Sequence, residues 1–241
     1  MPPSPLDPAA GPPAPFGVVY LDNHLLAVVK PAGMLSQGDR TGDADLVTLA
    51  KAYLKERFDR PGDVFVGLVH RLDRPTSGVL LLARTSKAAG RLADQFRQRS
   101  VGKRYLAVTE GSPGPAGERV DGIVKRDGGG VRVVAPDAPG AQRAALRWRT
   151  LSADGGRSLV EVELLTGRKH QIRAQLAAAG APVLGDLRYG ASGPFAGGRG
   201  IALHAHRLTV EHPTRREPLE LRAAPPATWR GLFDDALADL A

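Results

Sequence analysis

Apolar residues fall in short runs separated by polar breaks over most of the chain. Val18–Leu21 and Leu25–Val29 flank Asp22-Asn23-His24, the pattern of a β-hairpin, and Lys30-Pro31-Ala32-Gly33 closes the second run as a turn. Val64–Val69, Gly78–Ala83, Arg104–Thr109, Val131–Val134, Ala144–Leu151, Leu159–Leu165, Ile201–Val210 and Leu219–Arg222 read as further strands. Helical spacing predicts Leu46–Phe58, a helix capped by Ser86 and running to Arg99, His170–Ala179, and a closing amphipathic helix Trp229–Leu240. In the helix after Ser86, the expected core face is Ala89, Leu92, Ala93 and Phe96. Lys87, Arg91, Gln95 and Gln98 form the expected wet face. Gly111–Gly117 and Asp127–Gly130 read as loops. Strands outnumber helices and do not alternate with them, which predicts an α+β fold with a mixed, mostly antiparallel central sheet and flanking helices. Residues 1–15 hold seven of the 20 prolines and read as a disordered tail. No linker-like break follows, so residues 16–241 are expected to form one domain.

Composition narrows the function. The 241 residues contain no cysteine, which excludes disulfide frameworks, thiolate zinc sites, iron–sulfur clusters and cysteine nucleophiles. No apolar run is long enough to span a membrane, and the N-terminus lacks the basic and apolar regions of a secretory signal. A cytoplasmic protein is expected. Lys and Arg number 33 against 25 acidic residues, a net charge of +8 that makes a polyanion a natural partner.

Candidate chemistry concentrates in three segments. The first is His70–Gly78, HRLDRPTSG, a charged loop between two apolar runs. Loops at strand ends are where a rigid sheet displays catalytic groups. Asp73 is its carboxylate, and Arg71 and Arg74 are cations suited to keeping it ionised. Taken alone, the fragment reads first as a turn that Asp73 caps, pairing with a neighbouring arginine. HRLD also looks superficially like a kinase catalytic loop, but no glycine-rich loop, DFG or Walker lysine accompanies it. The second segment, Lys103–Val108, puts Tyr105 on a strand beside Lys103 and Arg104, either as a half-buried strand residue or as a platform for a nucleobase. The third, Leu164–Arg173, runs from strand through turn into helix. Arg168 and Lys169 sit where they can reach phosphate, and Arg173 where it can meet a carboxylate from another element. Residues 84–104 carry seven Lys and Arg against one acid, a stretch suited to contact with RNA or DNA. His204, His206 and His212 lack the cysteines or acidic cluster of a metal site, so no metal is expected.

In this order, the segments resemble the RluA-type family of RNA pseudouridine synthases. The resemblance spans about residues 16–225, from YLDNHLLAVVKPAGMLS through HRLDRPTSGVLLLART, KRYLAV, LLTGRKHQIRAQL and GAPVLGDLRYG to LHAHRLTVEHP. It implies the pseudouridine synthase fold with a basic active-site cleft, and base flipping followed by isomerisation of uridine in rRNA or tRNA. No cofactor is implied. It also implies an essential Asp73, a Tyr105 that stacks on the uracil, an Arg173 that pairs with the catalytic aspartate, and an Arg71 that fills the space of the flipped base. Arg74, Lys103, Arg104, Arg168 and Lys169 complete the expected RNA contacts. Lys169 stands where the family usually has threonine. No separate basic domain of the S4 type precedes Phe16, so the catalytic domain is expected to select RNA alone, as a monomer without an obligate protein partner. The competing expectation is a non-catalytic RNA-binding protein on the same fold.

Overall fold

The computed structural model describes Asp7 and residues 12–240. The expected disordered tail lies mostly outside these residues. In chain order the elements are β1 (Gly17–Leu21), β2 (Leu25–Lys30), α1 (Leu46–Arg57), β3 (Gly67–Leu68), β4 (Ser77–Ala83), α2 (Ser86–Gln98), β5 (Gly102–Glu110), β6 (Ala116–Lys125), β7 (Val131–Val134), β8 (Gln142–Asp154), β9 (Arg157–Leu164), α3 (Gln171–Ala178), β10 (Leu203–Glu211), β11 (Pro218–Arg222) and α4 (Asp234–Ala238). The fold is α+β with a mixed, mostly antiparallel sheet and few helices. The described chain divides into two compact units, one of residues up to Val101 plus Ala205–Ala223, the other of Gly102–His204 plus the segment from Ala224 onward.

In the first unit β1, β2 and β4 pair in that order, β10 lies beside β4, and β3 and β11 pair with β4 and β10. Every residue of β4 is buried, as expected of a run with no alternation, and its side chains join Leu25, Ala27, Leu92 and Leu208 in one core. Gly78, the second residue of this strand, has φ +120°, and a Cβ there would lie 2.4 Å from the backbone N and O of Ala205. Only glycine allows this approach, which explains the glycine that ends HRLDRPTSG. Gly78→Ala is therefore expected to lower stability by more than about 3 kcal/mol in urea titration. The control Gly90→Ala, on an open helical surface, is expected to gain about 0.5–1 kcal/mol.

Thr85, not Ser86, caps α2, its side chain accepting from the Ala88 N–H. The buried face is centred on Ala88 and Leu92, while Ala93 is exposed, so the expected core face is rotated by one position. Gln95, read as wet, exchanges two hydrogen bonds with the Glu211 backbone at 2.8 and 2.9 Å. His212 is buried and structural: its Nδ1 accepts from the Thr214 and Arg215 N–H groups, so Nε2 carries the proton that it shares with Asp22 at 2.8 Å.

In the second unit the order is β5-β9-β8-β6-β7, and every neighbouring pair is antiparallel. Here β6 is the element that the hydrophobic pattern missed. Its residues AGERVDGIVK carry two glycines and three charges before the final lysine, and strand propensity alone reads them as a loop. Packing overrides propensity: a Cβ on Gly117 would strike the Trp148 ring at 2.4 Å, so glycine is what lets the strand pass under the indole. At the C-terminus the expected helix over 229–240 shortens to α4, because Gly231 and Phe233 both adopt left-handed backbone conformations (φ 81° and 57°). Strand 64–69 likewise shortens to β3. Among the described residues no helix is long and apolar enough to cross a membrane.

Candidate active site

In the first unit, Asp73 sits half-buried on the loop between β3 and β4, and the residues on either side of it are fastened by backbone groups. Before it, the Ser36 hydroxyl donates to the Leu72 carbonyl at 2.8 Å and accepts from the Leu72 N–H at 3.2 Å. After it, the Arg74 carbonyl accepts from the Gly33 N–H at 2.8 Å and from Lys30 Nζ at 3.2 Å. The Asp73 carbonyl itself receives the Thr76 N–H at 3.0 Å, which closes a tight turn. At the head of the loop His70 stacks on Phe96 with ring centroids 4.8 Å apart, and its Nε2 accepts from the Leu81 N–H. The turn after β2 thus clamps the carboxylate loop from both sides, and such over-determination holds a functional side chain in one place.

Lys30 is the participant that the sequence did not reveal. Read only as the start of a turn, it is fully buried, and its ammonium donates to the carbonyls of Pro31, Met34 and Arg74. Burial pulls this group down to about 7, while the negative charge of Asp73 pushes it back up. Below about pH 7 the lysine is charged in both folded and unfolded chains, and the folded state carries the full cost of burying it. Between about 7 and the ordinary value of 10.5 the unfolded chain alone keeps the proton, so stability rises with pH across that window. Chemical denaturation from pH 6.5 to 9.5 is expected to show this rise, and Lys30→Met is expected to flatten it.

The two arginines of the loop differ. Arg71 is exposed. Arg74 is anchored to protein, with Nε donating to the Gly33 carbonyl at 3.1 Å and the guanidinium 2.7 Å from Asp43. Within the basic stretch 84–104, Arg84 and Arg91 bind the backbone carbonyls of Asp22 and Pro213, so part of that charge serves the fold.

In the second unit Tyr105 lies half-buried on β5, opposite Val162 of β9. Lys103 reaches over the turn at Gly167, its Nζ 3.8 Å from where a Cβ on that glycine would lie. Arg104 pairs with Glu161 at 3.2 Å. The segment from Thr166 to Arg173 is fastened to β8 through a buried amide network. Thr166 Oγ1 donates to Gln171 Oε1 at 2.7 Å and accepts from the Ala145 N–H, and Gln171 Nε2 donates to the Ala145 carbonyl. Gln171 Oε1 also accepts from the Arg168 N–H. These bonds satisfy the polar groups of a helix whose first six residues are all buried. Arg168 donates from Nε to the Arg143 carbonyl, and Lys169 is exposed.

Arg173 is buried and binds Asp186 in a bidentate pair, Nε to Oδ2 at 2.6 Å and Nη2 to Oδ1 at 2.9 Å. Its guanidinium also lies over the Tyr189 ring, 5.1 Å from the centroid. Asp186 and Tyr189 belong to the segment GDLRYG, which sequence reasoning used for likeness without assigning roles. The signal was available in principle, because a buried arginine needs a carboxylate with matching planar geometry.

The comparisons with known proteins agree with one another. A family model described as RNA pseudouridylate synthase matches residues 24–178. The "Ribosomal large subunit pseudouridine synthase D" of Zymomonas mobilis is 34% identical over 230 residues, 91% of this chain and 72% of that protein. The "tRNA pseudouridine synthase C" of Salmonella typhimurium is 35% identical over 247 residues, 90% of this chain and 92% of that protein. The solved structure of human RNA Pseudouridylate Synthase Domain Containing 4 superposes with a TM-score of 0.74 at 27% identity, covering 93% of this chain and 92% of the other.

Proposed function

The chain belongs to the RNA pseudouridylate synthase family, and on that premise we propose that Asp73, Tyr105 and Arg173 carry its isomerisation of uridine in structured rRNA or tRNA. The reaction breaks the N1–C1′ bond, turns the uracil, and rejoins it through C5, from which a proton leaves. N1, released from the ribose, takes up a proton in its place, so substrate and product have the same composition. A stacked uridine hides the N1–C1′ bond, so the nucleotide must be extruded before chemistry begins.

The observation that carries this reading is the clamped Asp73. A carboxylate that initiates glycosidic cleavage has to be fixed, and that requirement has a local cause. The Ser36 and Arg74 bonds fix the loop. Tyr105 offers an aromatic face for a neutral base that has no charge to grip. The Arg173–Asp186 pair supplies a guanidinium already oriented before RNA arrives. Arg71, at the exposed edge of the loop, takes the space of the extruded base. Lys103, Arg168 and Lys169 of the second unit meet the RNA backbone. The protein acts in the cytoplasm as a monomer, without an obligate partner or a cofactor.

The test is nucleoside analysis of tRNA and rRNA incubated with the purified protein. Pseudouridine formed with no free uracil supports the isomerase. Free uracil together with an abasic site would identify a glycosylase instead.

A further inference from the structure

Leu187 is 59% exposed, one of the two large apolar side chains standing in water among the described residues. It opens a short 3-10 turn, Leu187–Tyr189, that is held from both ends. Asp186 before it is locked onto Arg173. Tyr189 bonds through its hydroxyl to the Val131 N–H at 3.1 Å and to His170 Nδ1 at 2.8 Å. Between them Arg188 donates to the Gly128 carbonyl at 3.1 Å. The turn therefore cannot rotate to bury Leu187.

A single exposed leucine is ordinary on a protein surface. The surroundings of this one are not. Arg188 reaches the tip of the β6–β7 hairpin, and Lys169 Nζ lies 3.9 Å from where a Cβ on Gly129 would sit in the same tip. Arg126 is part of that tip, whose backbone is closed by the Arg126 N–H bonding the Gly130 carbonyl. Across segments 125–130, 166–170 and 187–190 the only acid is Asp127, against Lys125, Arg126, Arg168, Lys169 and Arg188. One rigid apolar side chain set among cations is too small a patch for a stable protein interface, which requires a continuous apolar centre. It matches the face of a single nucleobase whose phosphates lie alongside.

We propose that this surface of the second unit takes the RNA strand beside the target uridine, with Leu187 against a nucleobase and Arg126, Lys169 and Arg188 on phosphates. The proposal rests on the synthase reading, because Leu187 follows the aspartate that orients Arg173.

The test titrates the full chain with total tRNA and with rRNA by filter binding, over a series of KCl concentrations, and measures pseudouridine formation in parallel. Leu187→Ser is expected to weaken affinity about fivefold without changing the salt dependence, since no ion is released at an apolar contact. Leu187→Met keeps the apolar surface and is expected to retain affinity. The triple variant Arg126→Ala, Lys169→Ala, Arg188→Ala is expected to reduce the slope of log K against log salt by about two. A Leu187→Ser protein with wild-type affinity, or an unchanged slope in the triple variant, overturns the proposal while wild-type synthesis of pseudouridine leaves the synthase reading standing. Failure of the wild-type protein to form pseudouridine removes both.

Discussion

Asp73→Asn is expected to lower pseudouridine formation by at least about 10³-fold, since it removes the charge proposed to be essential and keeps the shape of the side chain. RNA affinity is expected to stay within about threefold of wild type, because phosphate contacts elsewhere supply most of the binding. The fold is expected to survive, for a reason visible in the loop. Leu72 and Arg74 are held through their backbone groups, by Ser36 on one side and by Gly33 and Lys30 on the other, and none of these bonds uses the Asp73 carboxylate. A second consequence is separable from catalysis. Without the Asp73 charge, nothing opposes the effect of burial on Lys30 as strongly, so the pH window over which stability rises should begin below about 7. A fully active Asp73→Asn enzyme would remove Asp73 from the mechanism.

The largest effect on stability is expected at Asp186. Its partner Arg173 has 6% of its side chain exposed, and Asp186 has 2%. Asp186→Ala leaves a buried guanidinium without its bidentate acceptor, a loss of about 3–5 kcal/mol in urea unfolding. Replacing both members with apolar residues of similar size, Arg173→Met with Asp186→Leu, removes the two buried charges together. This double variant is expected to recover most of the stability and to remain inactive, because the oriented guanidinium is gone. Recovery of both stability and activity in the double variant would show that the pair serves packing alone. A loss below about 1 kcal/mol in Asp186→Ala would show that water reaches the site, contrary to the observed burial.

What the sequence revealed depended on how local the cause was. The hairpin of β1 and β2, the buried run of β4 and the helix after Thr166 are legible because their apolar spacing is set by near neighbours in the chain. The strand β6 is not, because what makes it a strand is eight partners on β8 and an indole that demands glycine at position 117. The same division holds at the site. HRLDRPTSG announces itself by placing charges between two apolar runs. Lys30 and Asp186 do not, since each gains its role from a partner distant in sequence: Lys30 from the carbonyl of Arg74, Asp186 from a helix that begins at Gln171. Charge-based reading also overcounted free cations. Arg74, Arg84 and Arg104 look alike in the sequence, yet each is tied to a carboxylate or a carbonyl of the protein itself.

The proposed rejoining of uracil to ribose through C5 has Asp73 as its essential group. It is tested most directly with tRNA and rRNA labelled with tritium at uridine C5, because the label leaves only when the new carbon–carbon bond replaces the C5–hydrogen bond. Tritium release into water is expected from at least one of the two RNA pools, one tritium for each pseudouridine formed, and none with Asp73→Asn. Folded wild-type protein that binds both RNA pools and releases no tritium from either would contradict it.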